Sequence, residues 1–156
     1  MRSLKPITIF GESILPGENK TINVEMARLH TTTKLNIPII VRRSKLEGPV
    51  VLFSAGIHGD EINGIEIVRQ LISKKINKPK RGTIICIPII NMSGFVNRSR
   101  KFPDCRDLNR SFPGSKKGSL ASRFAFHILN EVMPEVHYAI DFHAGGASRF
   151  NAPQIR

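Results

Sequence analysis

At 156 residues and 40% hydrophobic content, the chain is sized for one domain with a real apolar core, which excludes disorder on the scale of the whole chain. Its 24 Lys and Arg against 12 Asp and Glu give a net charge of +12, which is compatible with a nucleic-acid, anionic-surface or acidic-substrate partner, with a basic proteome, or with a missing acidic partner segment. The cations are dispersed (Arg42-Arg43, Lys74-Lys75, Lys78 to Arg81, Arg98 to Lys101, Lys116-Lys117) without interleaved aromatics, which argues against a nucleic-acid platform.

The first 48 residues read as a β-rich lead-in. Residues 7–10 form a short apolar run, Pro16-Gly17 signals a turn, residues 21–29 alternate loosely (Ile22, Val24, Met26), and residues 37–41 are apolar again, a pattern that predicts an antiparallel meander at one sheet edge. From residue 49 the pattern changes. Residues 49–53 are continuously apolar, as in a strand buried on both faces. Gly56 and Gly59 break the run, and Ile62, Ile65, Val68 and Ile72 then recur at helical spacing. Residues 83–90 predict a second buried strand. Leu120, Phe124, Ile128 and Val132 mark a second helix, N-capped by Ser119 and stopped by Pro134. Residues 137–142 predict a third buried strand. Strands alternating with helices predict an α/β fold, a mixed and largely parallel sheet flanked by helices on both sides. Residues 91–117 carry neither period and read as a long loop, of a length that is usually either functional or disordered. The whole reads as a single, partial domain over 1–156, a lead-in over 1–48 and a core over 49–156, interrupted in a loop and so incomplete at its C-terminal side.

Cys86 and Cys105 offer neither a disulfide framework nor a CxxC metal pair, and Cys86 sits in an apolar run as a core thiol. Residues 1–9 lack the apolar segment of a signal peptide, and no stretch is long enough to span a membrane, so a reducing, cytoplasmic setting is expected.

Chemistry concentrates where strands end. Gly56-Ile57-His58-Gly59-Asp60-Glu61 follows one buried strand and opens a helix, so His58 and Glu61, three apart, share one side of a turn. The flanking glycines allow a sharp turn and remove bulk near a metal. Taken alone, this HxxE also fits a surface histidine and a helix-capping carboxylate. His143, in Asp141-Phe142-His143-Ala144-Gly145-Gly146, ends another strand, and a hydrogen-bonded histidine closing that strand is the plainer alternative. Together, two histidines and a carboxylate form a catalytic zinc donor set with one position left open. His30, His127 and His137 lack such a setting and read as structural or surface groups. The long loop carries Arg100, Arg106, Asn109 and Arg110. Arginine suits bidentate carboxylate capture and oxyanion stabilisation, although a solvated basic loop would look the same.

Three segments in this order, Gly-Ile-His-Gly-Asp-Glu, Arg-Asp-Leu-Asn-Arg-Ser-Phe-Pro-Gly (106–114) and Asp-Phe-His-Ala-Gly-Gly, resemble the succinylglutamate desuccinylase/aspartoacylase family of the zinc-carboxypeptidase clan, over roughly residues 50–156. The resemblance implies one zinc per chain on His58, Glu61 and His143. It implies that Asn109 and Arg110 bind a substrate carboxylate, and that Arg100, with Arg106 as its competitor, polarises the scissile carbonyl. The implied reaction is hydrolysis of an N-acyl amide on a small N-acylated amino acid or other carboxylate-bearing amide, with no membrane partner. The family's general base is a glutamate on a later segment, and a β-rich C-terminal part shapes its pocket; this sequence stops before both. Asp60, Asp104, Asp107 and Asp141 are therefore expected to support ligands or order loops. A metal-binding chain impaired for want of the base, prone to self-association as a homo-oligomer, and a zinc carboxypeptidase acting on peptides are the alternatives.

Overall fold

The computed structural model describes residues 4–28, 32, 34–147 and 149–155. Strands β1 (Ile7–Ile9) and β2 (Glu12–Ile14) form a small antiparallel hairpin. Its two-residue loop puts both Phe10 (φ 48°) and Gly11 (φ 73°) in the left-handed region, the signature of a type I′ turn. The Pro16-Gly17 turn follows, with Gly17 at φ 84° and Glu18 N–H donating to Leu15 O.

The remaining strands build one five-stranded sheet from β3 (Asn19–Arg28), β4 (Lys34–Arg43), β5 (Val50–Ala55), β6 (Thr83–Ile87) and β7 (Tyr138–Phe142), in the order β3-β4-β6-β5-β7. The antiparallel edge expected from the lead-in is the hairpin β3–β4, which joins β6 antiparallel. The strands β6, β5 and β7 are mutually parallel. The sheet is thus mixed, with two antiparallel and two parallel pairings, and "largely parallel" describes only its β6-β5-β7 half. Leu29 and His30 lie outside the described residues.

Helices cover both faces. Helix α1 (Ile62–Ser73) packs Ile65 and Val68 against Ile40, Ala55 and Cys86. On the other face, helix α3 (Leu120–Glu131) and the β1–β2 hairpin share a larger core with Ile39, Val41, Leu52, Ile85 and Ile87. Ser119 caps α3, its side chain accepting from Ser122 N–H, and a 3-10 turn at Met133–Glu135 carries Pro134. No helix of the described residues is long and apolar enough to cross a membrane.

Three expectations are corrected. Strand β6 ends at Ile87 rather than at residue 90, because Pro88 has no N–H for the ladder. The loop 91–117 holds a short helix, α2 (Met92–Val96), and a 3-10 turn at Leu108–Arg110. Buried Asn91 organises it, its Oδ1 accepting from Gly94 N–H and its Nδ2 donating to Lys101 O. Finally, β7 is not buried on both faces: Tyr138 is 66% and Ile140 46% exposed, because β7 is an edge strand with β5 alone beside it among the described residues.

Candidate metal centre

β5 and β7 are parallel neighbours, so the residues that follow them emerge at the same end of the sheet. After β5 the chain turns at Gly56 (φ 66°), and Ile57 and His58 are buried. Gly59 answers a different need from the one its sequence position implies. A Cβ there would lie 1.9 Å from the carbonyl carbon of Gly94, so the glycine admits the backbone of α2 rather than sparing room for a metal.

Glu61 occupies the N-cap position of α1 but makes no side-chain cap bond, which removes the helix-capping alternative. Its buried carboxylate instead gathers the two histidines. His58 Nδ1 lies 2.8 Å from Oε1, while His143 Nδ1 lies 2.9 Å from Oε2, which also accepts from Ala144 N–H at 2.9 Å. Three donor atoms, one each from His58, Glu61 and His143, lie within 4.8 Å of one another. His58 is almost wholly buried, whereas the His143 side chain is 35% exposed.

The outer nitrogen of each ring meets a carboxylate. His58 Nε2 lies 3.0 Å from Asp107 Oδ1, and His143 Nε2 lies 2.7 Å from Asp141 Oδ2. Metal-binding histidines are held in this way, because the outer hydrogen bond fixes ring orientation and tautomer. Burial pushes the Asp107 carboxyl up, but hydrogen bonds from Arg100 and His58 outweigh it and hold the group below its ordinary range. The hydrogen bond to Asp141, opposed in part by burial, holds His143 above its ordinary value.

Arg100 completes the cluster. Its Nε and Nη2 donate to Asp107 Oδ2 at 3.0 and 2.9 Å, and Nη1 stands 3.4 Å from Glu61 Oε1. Around the two rings, the three carboxylates of Glu61, Asp107 and Asp141 outnumber the guanidiniums that reach them, Arg100 closely and Arg110 at 4.0 Å, inside a chain whose net charge is +12. That local excess suits a divalent cation, and the donor set suits zinc.

The other loop residues divide. Arg106 turns to Asp104 at 3.9 Å, away from the cluster, so of the two competing arginines only Arg100 touches it. Asn109 and Arg110 lie on the 3-10 turn beside Asp107. The Asn109 N–H donates to Asp107 Oδ1, and Arg110, 84% exposed, has Nε 4.0 Å from Asp107 Oδ2. Asp104 orders the loop, accepting from Ala121 N–H and Arg106 N–H. Asp60 Oδ1 is buried without a hydrogen-bond partner, and its carboxylate fits against Gly146, where a Cβ would stand 2.4 Å from Oδ2. His127 lies exposed on α3, and His137 Nδ1 accepts from Val50 N–H at the far end of the sheet. Sequence reasoning missed Ser54, which donates to Asp141 Oδ1 at 2.8 Å; its one signal is a hydroxyl in an otherwise apolar strand.

Residues 47–156 match the family model of the succinylglutamate desuccinylase/aspartoacylase catalytic domain. The chain is 35% identical over 112 residues to an N-alpha-acetyl-L-2,4-diaminobutyric acid deacetylase of Halomonas elongata, covering 70% of this chain and 32% of that protein. Among solved structures, an aspartoacylase family protein from Mesorhizobium loti superposes with a TM-score of 0.73 at 30% identity, over 91% of this chain and 45% of that one. A succinylglutamate desuccinylase/aspartoacylase from Rhodobacter sphaeroides does so with a TM-score of 0.71 at 28% identity, over 83% and 40%. The chain therefore spans about a third of the curated relative's length and less than half that of these solved structures. On the match over residues 47–156, the chain belongs to the succinylglutamate desuccinylase/aspartoacylase family.

Proposed function

We propose that this chain carries the zinc-binding part of an amide hydrolase that removes the acyl group from a small N-acylated amino acid. The observation that supports it most is the turning of both Nδ1 atoms of His58 and His143 onto one buried carboxylate, each ring backed by an aspartate. His58, Glu61 and His143 are the residues that would hold the metal. Zinc supplies a Lewis acid that polarises a carbonyl and acidifies water.

The chain's own residues supply the rest. Arg100, fixed by Asp107 beside Glu61, points a guanidinium into the cluster, where it stabilises negative charge developing on the amide oxygen. Arg110 has an exposed fork suited to a substrate carboxylate, with the amide of Asn109 beside it as a neutral donor. The relative's name supports an N-acetylated amino acid as the substrate class. Glu61, Asp107 and Asp141 each have both carboxylate oxygens engaged by neighbouring groups, which leaves none of the three a freely placed general base. That engagement supports the second reading, a chain that binds zinc and turns over slowly by itself.

The test is zinc titration by calorimetry, followed by assay of the zinc-loaded chain on N-acetyl and N-succinyl amino acids, with peptides for comparison. One zinc per chain and release of free amino acid is expected. Failure to bind zinc, or cleavage confined to peptides, would reject the proposal; tight zinc with negligible turnover would leave the second reading standing.

A further inference from the structure

Ser54 lies in β5, buried, directly in register with Asp141 of β7. A chain of contacts runs outward from it. Ser54 Oγ donates to Asp141 Oδ1 at 2.8 Å, Asp141 Oδ2 stands 2.7 Å from His143 Nε2, and His143 Nδ1 stands 2.9 Å from Glu61 Oε2. The two histidines differ in what restrains them. His58 is 2% exposed and held by packing as well as by Asp107, whereas the His143 and Asp141 side chains are each 35% exposed, at and just beyond a strand that has one neighbour among the described residues. An exposed carboxylate on an edge strand rotates among rotamers unless something fixes it. Ser54 is a rigidly placed donor, because its backbone is laddered to strands on both sides.

We infer that Ser54 is a positioning residue for the metal centre: through Asp141 it sets the plane and tautomer of His143, so that Nδ1 faces Glu61. The inference rests on the reading of His58, Glu61 and His143 as metal ligands. It assigns Ser54 no contact with substrate.

The experiment is titration of Co2+, as a visible-absorbing stand-in for zinc, into the 156-residue chain and into Ser54→Ala, Ser54→Thr and Asp141→Asn, with melting of each metal-free chain alongside. Loss of an outer partner of a metal-binding histidine typically weakens metal affinity by about 10- to 100-fold. Ser54→Ala should fall near the lower end, with an altered d–d band, and Ser54→Thr, which keeps the hydroxyl and suits a strand, should restore both. Wild-type affinity and spectrum in Ser54→Ala would overturn the inference, as would a threonine variant as impaired as alanine, since packing would then be the cause. Should alanine destabilise the fold, Asp141→Asn at the exposed edge decides: it keeps neutral hydrogen bonds but loses the charge, and undiminished affinity there would also overturn the inference. A wild-type chain that binds no Co2+ or zinc rejects the metal-site reading itself, an outcome separate from these.

Discussion

Asp107 stands behind His58, its Oδ1 3.0 Å from the ring's Nε2, while its second oxygen accepts two hydrogen bonds from Arg100. One carboxylate thus orients a proposed metal ligand and anchors the arginine meant for the reacting carbonyl. Asp107→Ala should weaken zinc binding by about 10- to 100-fold, measured by competition with a chromophoric chelator. Asp107→Asn keeps an acceptor for His58 but loses the charge that holds Arg100, so it should bind zinc more tightly than the alanine variant while sharing its loss of turnover. Equal zinc affinity in wild type and Asp107→Ala would remove Asp107 from the centre.

Arg106 competes with Arg100 for the oxyanion role in the sequence, but the two are not equivalent in space. Arg100 reaches Glu61, and Arg106 reaches Asp104. Arg100→Ala should lower turnover of an N-acyl amino acid by about 10²- to 10³-fold, the usual cost of removing one oxyanion donor. Zinc affinity should change little. Arg106→Ala should leave both nearly unchanged. A deeper loss in Arg106→Ala than in Arg100→Ala would exchange their roles.

Much of the centre was legible because its residues follow two apolar runs and carry rare chemistry at short spacing. His58 and Glu61 are three residues apart, and the strand before each histidine read clearly as apolar. The supporting residues were less legible. Asp107 and Asp141 could be expected as a class, but Ser54 is 87 residues from its partner, and a serine inside a strand carries no mark of what lies in register with it. The exposure of β7 was hidden for a related reason. An apolar strand looks the same whether it has neighbours on both sides or on one, and pairing is a property of topology, not of the strand. The β1–β2 turn was missed because Phe10, a bulky residue at positive φ, gives no turn signal beyond Gly11.

Gly59 tests how the His58 loop is seated. Its missing side chain lets residues 56–59 rest on the backbone of α2, and its N–H donates to Ser99 O at 3.1 Å. A methyl group 1.9 Å from backbone cannot be absorbed by turning a side chain. Gly59→Ala should cost about 1–3 kcal/mol, as overpacking typically does. For a chain of this size that is a fall in melting temperature of roughly 2–12 °C. Zinc affinity should fall as well, because His58 is the preceding residue. Unchanged melting would mean that α2 moves aside without cost.

The two cysteines should separate in reactivity and in their effect on alkaline stability. Cys105 is exposed in the loop, while Cys86 is fully buried in β6 and burial pushes its thiol up to about 11. At pH 8 the folded chain should therefore titrate one thiol with a disulfide reagent, and two in denaturant. The linkage follows from the direction of the shift. A thiol whose folded value lies above its unfolded value of 9.0 stabilises the fold fully below pH 9, because there both states hold the proton. Between about 9 and 11 the unfolded state releases its proton while the folded state retains it, so that contribution falls as pH rises and is lost above 11. Melting temperatures of wild type and Cys86→Ala, followed from pH 7.5 to 10.5, should converge as pH rises, with alanine the less stable at the neutral end because it leaves a cavity. Parallel curves would show that Cys86 titrates alike in both states, and a second fast-reacting thiol in the folded chain would show that β6 opens.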